Sequence, residues 1–410
     1  MALRVLVADQ FEAGGLDELR TAGFEVKYEP ALKDAALREA VASSRCNILI
    51  VRGTEVPRDA IEASEELGLI IRAGAGYNTI DVAAASGRSI AVANCPGKNA
   101  VAVAELTFGL ILALDRRIVD ATVDLRAGTW NKKEYSKARG LKGRTLGVIG
   151  TGEIGRAVIA RARAFEMNVV AYSRSLTHDD ATRLGVIRCG SPAEAAARCD
   201  ILTVHVAAAP ETRNLISAEV IEQLRPGAYL INTARADVLD YSALLDAIRD
   251  RQIRAGLDVF PKEPGVGQAE FHPEIIRAGG VVYATHHIGA STDEAQQAIA
   301  DEAVRIAKVF AATGEVLHCV NIETRCNAAC QLVVRHYDKV GVLASVLDVI
   351  SRANISVKQM SNTIYQGYEA ALAIIQLDKT PASTLIEAIA GMKDKVIKVE
   401  VKPLAGPAGP

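Results

Sequence analysis

Apolar residues fall in short unbroken runs, separated by longer stretches with helical periodicity. Arg4–Ala8, Ile48–Val51, Leu69–Arg72 and Ile90–Ala93 read as strands, each closed by Gly, Pro or Asp nearby. Thr145–Ile149, Asn168–Tyr172, Ile201–Val206, Ala228–Asn232, Ile253–Asp258 and Val281–Thr285 continue the series. Helical segments such as Val101–Arg126 and Glu153–Phe165 lie between them. Strands that are apolar throughout belong in parallel sheets covered on both faces. There are too many for one sheet, so the pattern predicts an α/β chain with two doubly wound domains. Ser291 and Glu294 fit a capping box opening a further helix, and Gly314 is placed to end it.

The pattern changes after that helix. Residues 316–330 read as a linker. A strand (Gln331–His336), a Gly341 turn and a helix (Val342–Arg352) follow. Strands Ser356–Thr363 and Ala370–Leu377, a helix from Ala382 and a strand Val396–Val401 complete βαββαβ, the ferredoxin-like order, over residues 331–402. The tail 403–410 (PLAGPAGP) is of low complexity and is expected to be disordered.

Composition narrows the classes. The chain has 410 residues, 50% hydrophobic and 23% charged, which suits two or three soluble domains. A net charge of −2 gives no strong attraction to nucleic acid or an anionic membrane. Seven cysteines at irregular spacing form neither a disulfide framework nor a zinc pattern, so no metal is expected. The opening MALRVLVADQ does not read as a signal peptide, and the apolar stretch Ala100–Leu114 contains Glu105 and is too short to span a bilayer. The expectation is a cytoplasmic protein.

Chemistry first shows at Gly150, Gly152 and Gly155, a G-x-G-x-x-G between a strand and a helix. The first glycine permits the tight turn, the second lets backbone approach a pyrophosphate, and the third lets helix and strand pack closely. Glu153 and Ile154 complete the loop, and the free N–H groups of the helix start favour an anion. An acidic residue at the end of the next strand would bind a ribose 2′-OH. Here the chain reads Ser173-Arg174, which leaves NADP(H) open beside NAD(H).

Three later segments end strands in reactive residue types. They are Asn232-Thr-Ala-Arg235, then Asp258-Val-Phe-Pro-Lys-Glu263, then His286-His287-Ile-Gly-Ala-Ser-Thr292. Singly, Arg235 reads as a surface charge, Glu263 as a loop carboxylate and His287 as a core imidazole. Chemistry in parallel sheets collects at strand C-termini, so the three can also form one constellation.

Together these segments resemble the D-2-hydroxyacid dehydrogenase family. So do Arg72-Ala-Gly74-Ala-Gly76-Tyr-Asn78, Asn94-Cys-Pro96 and Ala104-Glu105 upstream. With the C-terminal unit, which looks like an ACT regulatory domain, residues 3 to 402 are most similar to the family's phosphoglycerate-oxidising branch. The resemblance implies oxidation of 3-phospho-D-glycerate to 3-phosphohydroxypyruvate, the first step toward L-serine. Residues 1–97 plus 286–315 would form the substrate domain and 98–285 the dinucleotide domain. His287 would be the general acid/base, Glu263 its orienting partner and Arg235 the carboxylate binder. Asp258 would bond the nicotinamide carboxamide. Thr203, His205, Asn232, Thr233, Ala234, His287 and Ala290 would line the nucleotide cleft. Ala73, Gly74 and Asn99 would hold the substrate, with Arg52 and Arg72 on its phosphate and Lys132 or Lys133 reaching in from a neighbouring subunit. His336, Asp338 and Asn354 would receive an amino-acid effector such as serine. A homodimer or homotetramer is expected.

This chain departs from the family at three places. Ala236 follows Arg235 where the family has Gly, His286 stands where it has Pro, and the cofactor-binding acid is missing. An NADPH-dependent glyoxylate/hydroxypyruvate reductase is therefore an alternative. A nucleotide-sensing binding protein on the same fold is another.

Overall fold

Every strand in the first two sheets runs parallel to its neighbours, as unbroken apolar runs require. The computed structural model describes residues 2–264, 268–277, 279–323 and 327–404. It divides into two units, Met1–Asn321 and Ile322–Pro410. The first sheet holds β1 (Arg4–Val7), β2 (Glu25–Tyr28), β3 (Ile48–Val51), β4 (Leu69–Arg72) and β5 (Ala91–Asn94), in the order β2-β1-β3-β4-β5. The second holds β6 (Thr145–Ile149), β7 (Asn168–Tyr172), β8 (Ile187–Arg188), β9 (Ile201–Val204), β10 (Tyr229–Asn232), β11 (Arg254–Leu257) and β12 (Val282–Ala284). Its order is β12-β11-β10-β9-β6-β7-β8. Each order reverses once, between β1 and β3 and between β6 and β9, and ligands gather at such switch points. Apolar clusters cover both faces of both sheets.

The chain crosses between the sheets twice. After β5, residues 95–99 lead into the helix Ala100–Arg116, whose Leu110, Ile111 and Leu114 pack on the second sheet. After β12 the chain returns through residues 285–292 to the helix Asp293–Thr313, whose Ile299, Ala303 and Ile306 join the core of the first sheet. Residues 318–321 then lie along β5, with Val320 N donating to Val92 O and Asn321 bonding Val92 N and Ile90 O. The stretch 316–330, which reads as a linker, thus begins inside the first unit.

Two local expectations need correction. The helix expected over Val101–Arg126 breaks at Arg117, which adopts φ +52° and starts a second helix, Ile118–Arg126. No Gly or Pro marks the break; the Arg117 side chain holds it by bonding Asp120 and Glu134. The cap of the return helix is Thr292, not Ser291: Thr292 Oγ1 accepts from Ala295 N, while Ser291 N closes a turn onto Ile288 O. Gly314 ends that helix at φ +76°.

The second unit carries β13 (Cys330–Tyr337), β14 (Val357–Ile364), β15 (Ala370–Leu377) and β16 (Val396–Pro403) in the antiparallel order β14-β15-β13-β16. Helices Val342–Arg352 and Ser383–Ala390 pack on one face, giving the ferredoxin-like fold. The expected disordered tail lies, from residue 405 on, outside the described residues. No described helix is long and apolar enough to cross a membrane. No group of metal-ligating side chains occurs among the described residues.

Beneath the second sheet Asp115 (3% exposed) is a buried charge with a full set of donors. Arg144 Nη1 at 3.2 Å, Tyr229 Oη at 3.1 Å and Gly140 N at 3.1 Å all bond it. The Arg144 guanidinium also lies 4.4 Å from the Tyr229 ring centre. Removing one member of a buried pair strands the other. Asp115→Ala is expected to destabilise the first unit by about 3–5 kcal/mol in denaturant unfolding; a loss under about 1 kcal/mol would contradict this account of the network.

Candidate active site

The glycine loop sits at the switch point of the second sheet. Gly150 follows β6 at φ +95°, and a Cβ there would collide with the His205 carbonyl after β9. A Cβ on Gly155 would collide with the Gly150 carbonyl, while one on Gly152 would meet nothing within 4 Å. The loop is therefore pressed against the sheet at its first and third glycines and open at the second. Glu153 and Ile154 begin the helix Glu153–Ala164 behind it. His205 is 8% exposed, and burial pushes its imidazole down to about 3, so the ring is neutral. Its Nε2 pairs with Thr203 Oγ1 at 2.9 Å, and its buried Nδ1 has no partner among the described residues. Ser173 and the exposed Arg174 follow β7, and Arg174 forms no ion pair among the described residues. An open glycine turn, a helix start and an unmet polar atom together fit a dinucleotide.

Glu263 and His287 meet on the wall of a cleft of about 590 Å³. His287 Nδ1–H donates to Glu263 Oε2 at 2.6 Å, and Phe260 N donates to Glu263 Oε1 at 2.7 Å. Both carboxylate oxygens are thus fixed, and His287 Nε2 is left for chemistry. Burial raises the Glu263 pKa, but the bonds from His287 and Phe260 and the charges of His287 and Arg235 outweigh it and hold the carboxyl below its ordinary value. His287 adopts φ +55°, a left-handed conformation that side chains rarely take. That turn aims the next two amides at Asp258, which is 1% exposed. Ile288 N and Gly289 N each donate to Asp258 at 2.9 Å, and Thr285 Oγ1 does so at 2.6 Å. Asp258, which the resemblance assigns to the nicotinamide carboxamide, anchors the His287 turn within the protein. His286 and Ala290 line the same cleft.

Three guanidinium groups face this region. Arg52 follows β3, where Asp9 accepts from the backbone N–H groups of Arg52, Gly53 and Thr54 at 2.5, 3.0 and 3.0 Å. Arg72 ends β4, and its guanidinium lies across Gly74, where a Cβ would collide with it. The Arg235 guanidinium likewise lies over Gly76. Burial, then the charges of Arg235 and Arg52, lower the Arg72 pKa to about 10. Among the described residues the buried Arg72 Nε has no partner, and neither has Asn99 Oδ1. Ala73, Gly74 and Asn99 share the cleft wall with Arg52 and Arg72. Asn232 shapes the turn that carries Arg235: its Oδ1 accepts from Ala234 N and its Nδ2 donates to Arg235 O. Thr233 Oγ1 pairs with Thr107 at 3.1 Å. Asp9 was not among the expected site residues, and neither was Tyr241, whose hydroxyl donates to Val259 O behind the Glu263 loop.

Other candidates lie elsewhere. Lys132 and Lys133 sit on the exposed short helix Lys132–Tyr135. In the second unit His336 is 2% exposed and spends no polar atom on solvent: Nδ1 donates to Tyr337 O, and Nε2 meets Asn362 Oδ1 at 3.0 Å. Asp338 follows β13 at the same end. Asn354 precedes β14, whose Val357 pairs through Leu377 with Cys330 at the opposite end of the sheet. Within one chain, Asn354 is thus apart from His336 and Asp338.

Residues 108–289 match the D-isomer specific 2-hydroxyacid dehydrogenase family, NAD binding domain. The hydroxypyruvate reductase of Thermotoga maritima is 39% identical over 270 residues, 65% of this chain and 85% of that protein. The chain belongs to the D-isomer specific 2-hydroxyacid dehydrogenase family. The D-3-phosphoglycerate dehydrogenase of Methanocaldococcus jannaschii, another relative, is 39% identical over 298 residues, 72% of this chain and 55% of that protein. The chain spans about half the length of the curated phosphoglycerate dehydrogenases it matches. Among solved structures, the NADPH-dependent glyoxylate/hydroxypyruvate reductase of Sinorhizobium meliloti, in complex with NADP and malonate, superposes with a TM-score of 0.66 at 29% identity. That match covers 78% of this chain and 97% of the other.

The lowered Glu263 pKa has a definite sign. A depressed carboxyl contributes stability above its unfolded value, about 4.3, and loses it as pH falls through the folded value. The stability difference between the wild type and Glu263→Gln should therefore be full at neutral pH and fade below about pH 4. A difference unchanged by pH would refute the pairing.

Proposed function

We propose that this chain is an NAD(P)-dependent D-2-hydroxyacid dehydrogenase whose substrate carries a second anionic group, and that the substrate is 3-phospho-D-glycerate. The observation that carries this is the Glu263–His287 pair opening on a cleft with Arg52 and Arg72 on its wall. One anion, the 2-hydroxy acid carboxylate, needs one cationic partner; the additional guanidinium groups suit a phosphate. The relatives named D-3-phosphoglycerate dehydrogenase support the same choice.

The reaction divides between residues of the two lobes. Arg235, with the backbone near Gly74, binds the carboxylate and polarises the carbonyl that forms. His287 Nε2 takes the hydroxyl proton as the carbinol carbon loses its hydrogen with the bonding electron pair. Bound nicotinamide cofactor supplies the acceptor for that hydride. Glu263 keeps Nδ1 protonated and stabilises the imidazolium that results. In reduction the same nitrogen returns the proton to the carbonyl oxygen. The exposed Arg174 and the missing acid leave room for a 2′-phosphate, so both nucleotides are admitted. The second unit serves as an ACT-like regulatory domain. Since Asn354 lies apart from His336 and Asp338, serine there would need two copies of the chain.

A second reading, a hydroxypyruvate reductase using NADPH, is favoured by Ser173–Arg174 and by the Thermotoga maritima relative. The ratio of kcat/KM for 3-phosphohydroxypyruvate to that for hydroxypyruvate, with NADH and NADPH in parallel, separates the two. A preference of roughly a hundredfold, about 2.7 kcal/mol, is expected for the phosphorylated acid. Equal rates, or faster turnover of hydroxypyruvate with NADPH, would favour the reductase. His287→Ala is expected to lower kcat by about 10²–10⁴ with nucleotide affinity retained; unchanged turnover would remove His287 from its role.

A further inference from the structure

In the return helix Asp293–Thr313, Glu302 is a charged side chain only 4% exposed. A buried carboxylate survives only when it is paired. Three basic side chains from three places in the sequence supply the pairing. Arg305, one turn on, donates from Nε at 3.1 Å and from Nη2 at 2.5 Å. His318, in the segment that lies along β5, meets Oε1 at 2.9 Å. Lys98 reaches Oε2 at 3.1 Å from the first crossover.

The crossover that carries Lys98 touches each wall of the candidate site. Cys95 N donates to Gly74 O at 2.9 Å, beneath the Arg72 guanidinium. Gly97, at φ +77°, packs so close to the nucleotide-loop helix that a Cβ would lie 3.3 Å from Glu153 Cγ. Asn99 stands on the cleft wall with its Oδ1 buried and unmet. Five residues thus bridge the anion cradle, the nucleotide helix and the cleft. Their side-chain tie to the first lobe is the Lys98–Glu302 pair.

We propose that Lys98 and Glu302 are a positioning pair: the buried Glu302 holds the crossover 95–99 so that the Gly74 cradle, the nucleotide-loop helix and Asn99 face one another in binding register. Neither residue reaches the reacting atoms, so the pair acts on assembly of the two binding walls and not on proton transfer. The part of this that concerns turnover rests on the dehydrogenase reading above.

The test uses the full chain with Lys98→Met, which keeps the length and removes the charge, and Lys98→Arg, which restores it. Backbone hydrogen exchange over residues 95–104, NADPH affinity by fluorescence, and kcat and KM for 3-phosphohydroxypyruvate or hydroxypyruvate are measured. Lys98→Met should speed exchange and raise both KM and the nucleotide Kd by roughly fivefold or more, with kcat within about twofold. Lys98→Arg should return all of them to within about twofold of the wild type. Unchanged exchange and affinity in Lys98→Met would overturn the proposal, as would an equal loss in Lys98→Arg. A wild type that turns over neither keto acid would sink the functional reading alone, because hydrogen exchange still reports on the pair.

Discussion

Positive charge gathered in a partly closed cleft is the constraint around which the first unit is arranged. Like charges repel, and a guanidinium removed from water loses hydration, so Arg72 is held where its own charge is least comfortable. Rigid backbone keeps it there. Gly74 and Gly76 leave the space that the Arg72 and Arg235 guanidinium groups fill, and Asp9 gathers three amides to fix the turn bearing Arg52. The proposed acid/base pair is fixed in the same way. Glu263 has both oxygens engaged, and Asp258 holds the left-handed turn at His287 from below. Such a site is organised before ligand arrives, and so it loses little in reorganisation when charge develops.

The parallel sheets were legible where their strands are unbroken apolar runs, and β3, β4, β6 and β7 fall where those runs lie, whereas the polar-containing edge strands β2 and β8 gave no such signal. The glycine loop was legible because its three glycines meet distinct steric demands, each visible in what a Cβ would touch. Arg235, Glu263 and His287 stood out only through the order of their motifs. Spacing alone left each with a plain structural reading, and their meeting depends on which strands become neighbours.

What the sequence concealed is long-range or lies in side-chain bonds. Asp9 is one aspartate after a strand, and its task exists only because β3 pairs with β1. Asp115 and Glu302 look like helix surface charges until Tyr229 and Lys98 come to them from 114 and 204 residues away. The break at Arg117 carries no Gly or Pro signal because Asp120 and Glu134 make it. The cap moved from Ser291 to Thr292 because the turn after His287 had already used the Ser291 amide.

The double crossing between the sheets has a consequence for how the molecule could be taken apart. The helix Asp293–Thr313 completes a core begun by β1, β3 and β4, although a whole seven-stranded sheet is encoded between them. A single cut at residues 95–99 or at 285–292 would leave both halves still clasped. A fragment that stopped short of residue 293 would bare the apolar face of the first sheet to water. The two lobes are therefore not interchangeable cassettes: grafting the first onto another partner means moving two separate pieces of gene, and trading the second means replacing an insert with both of its ends retained.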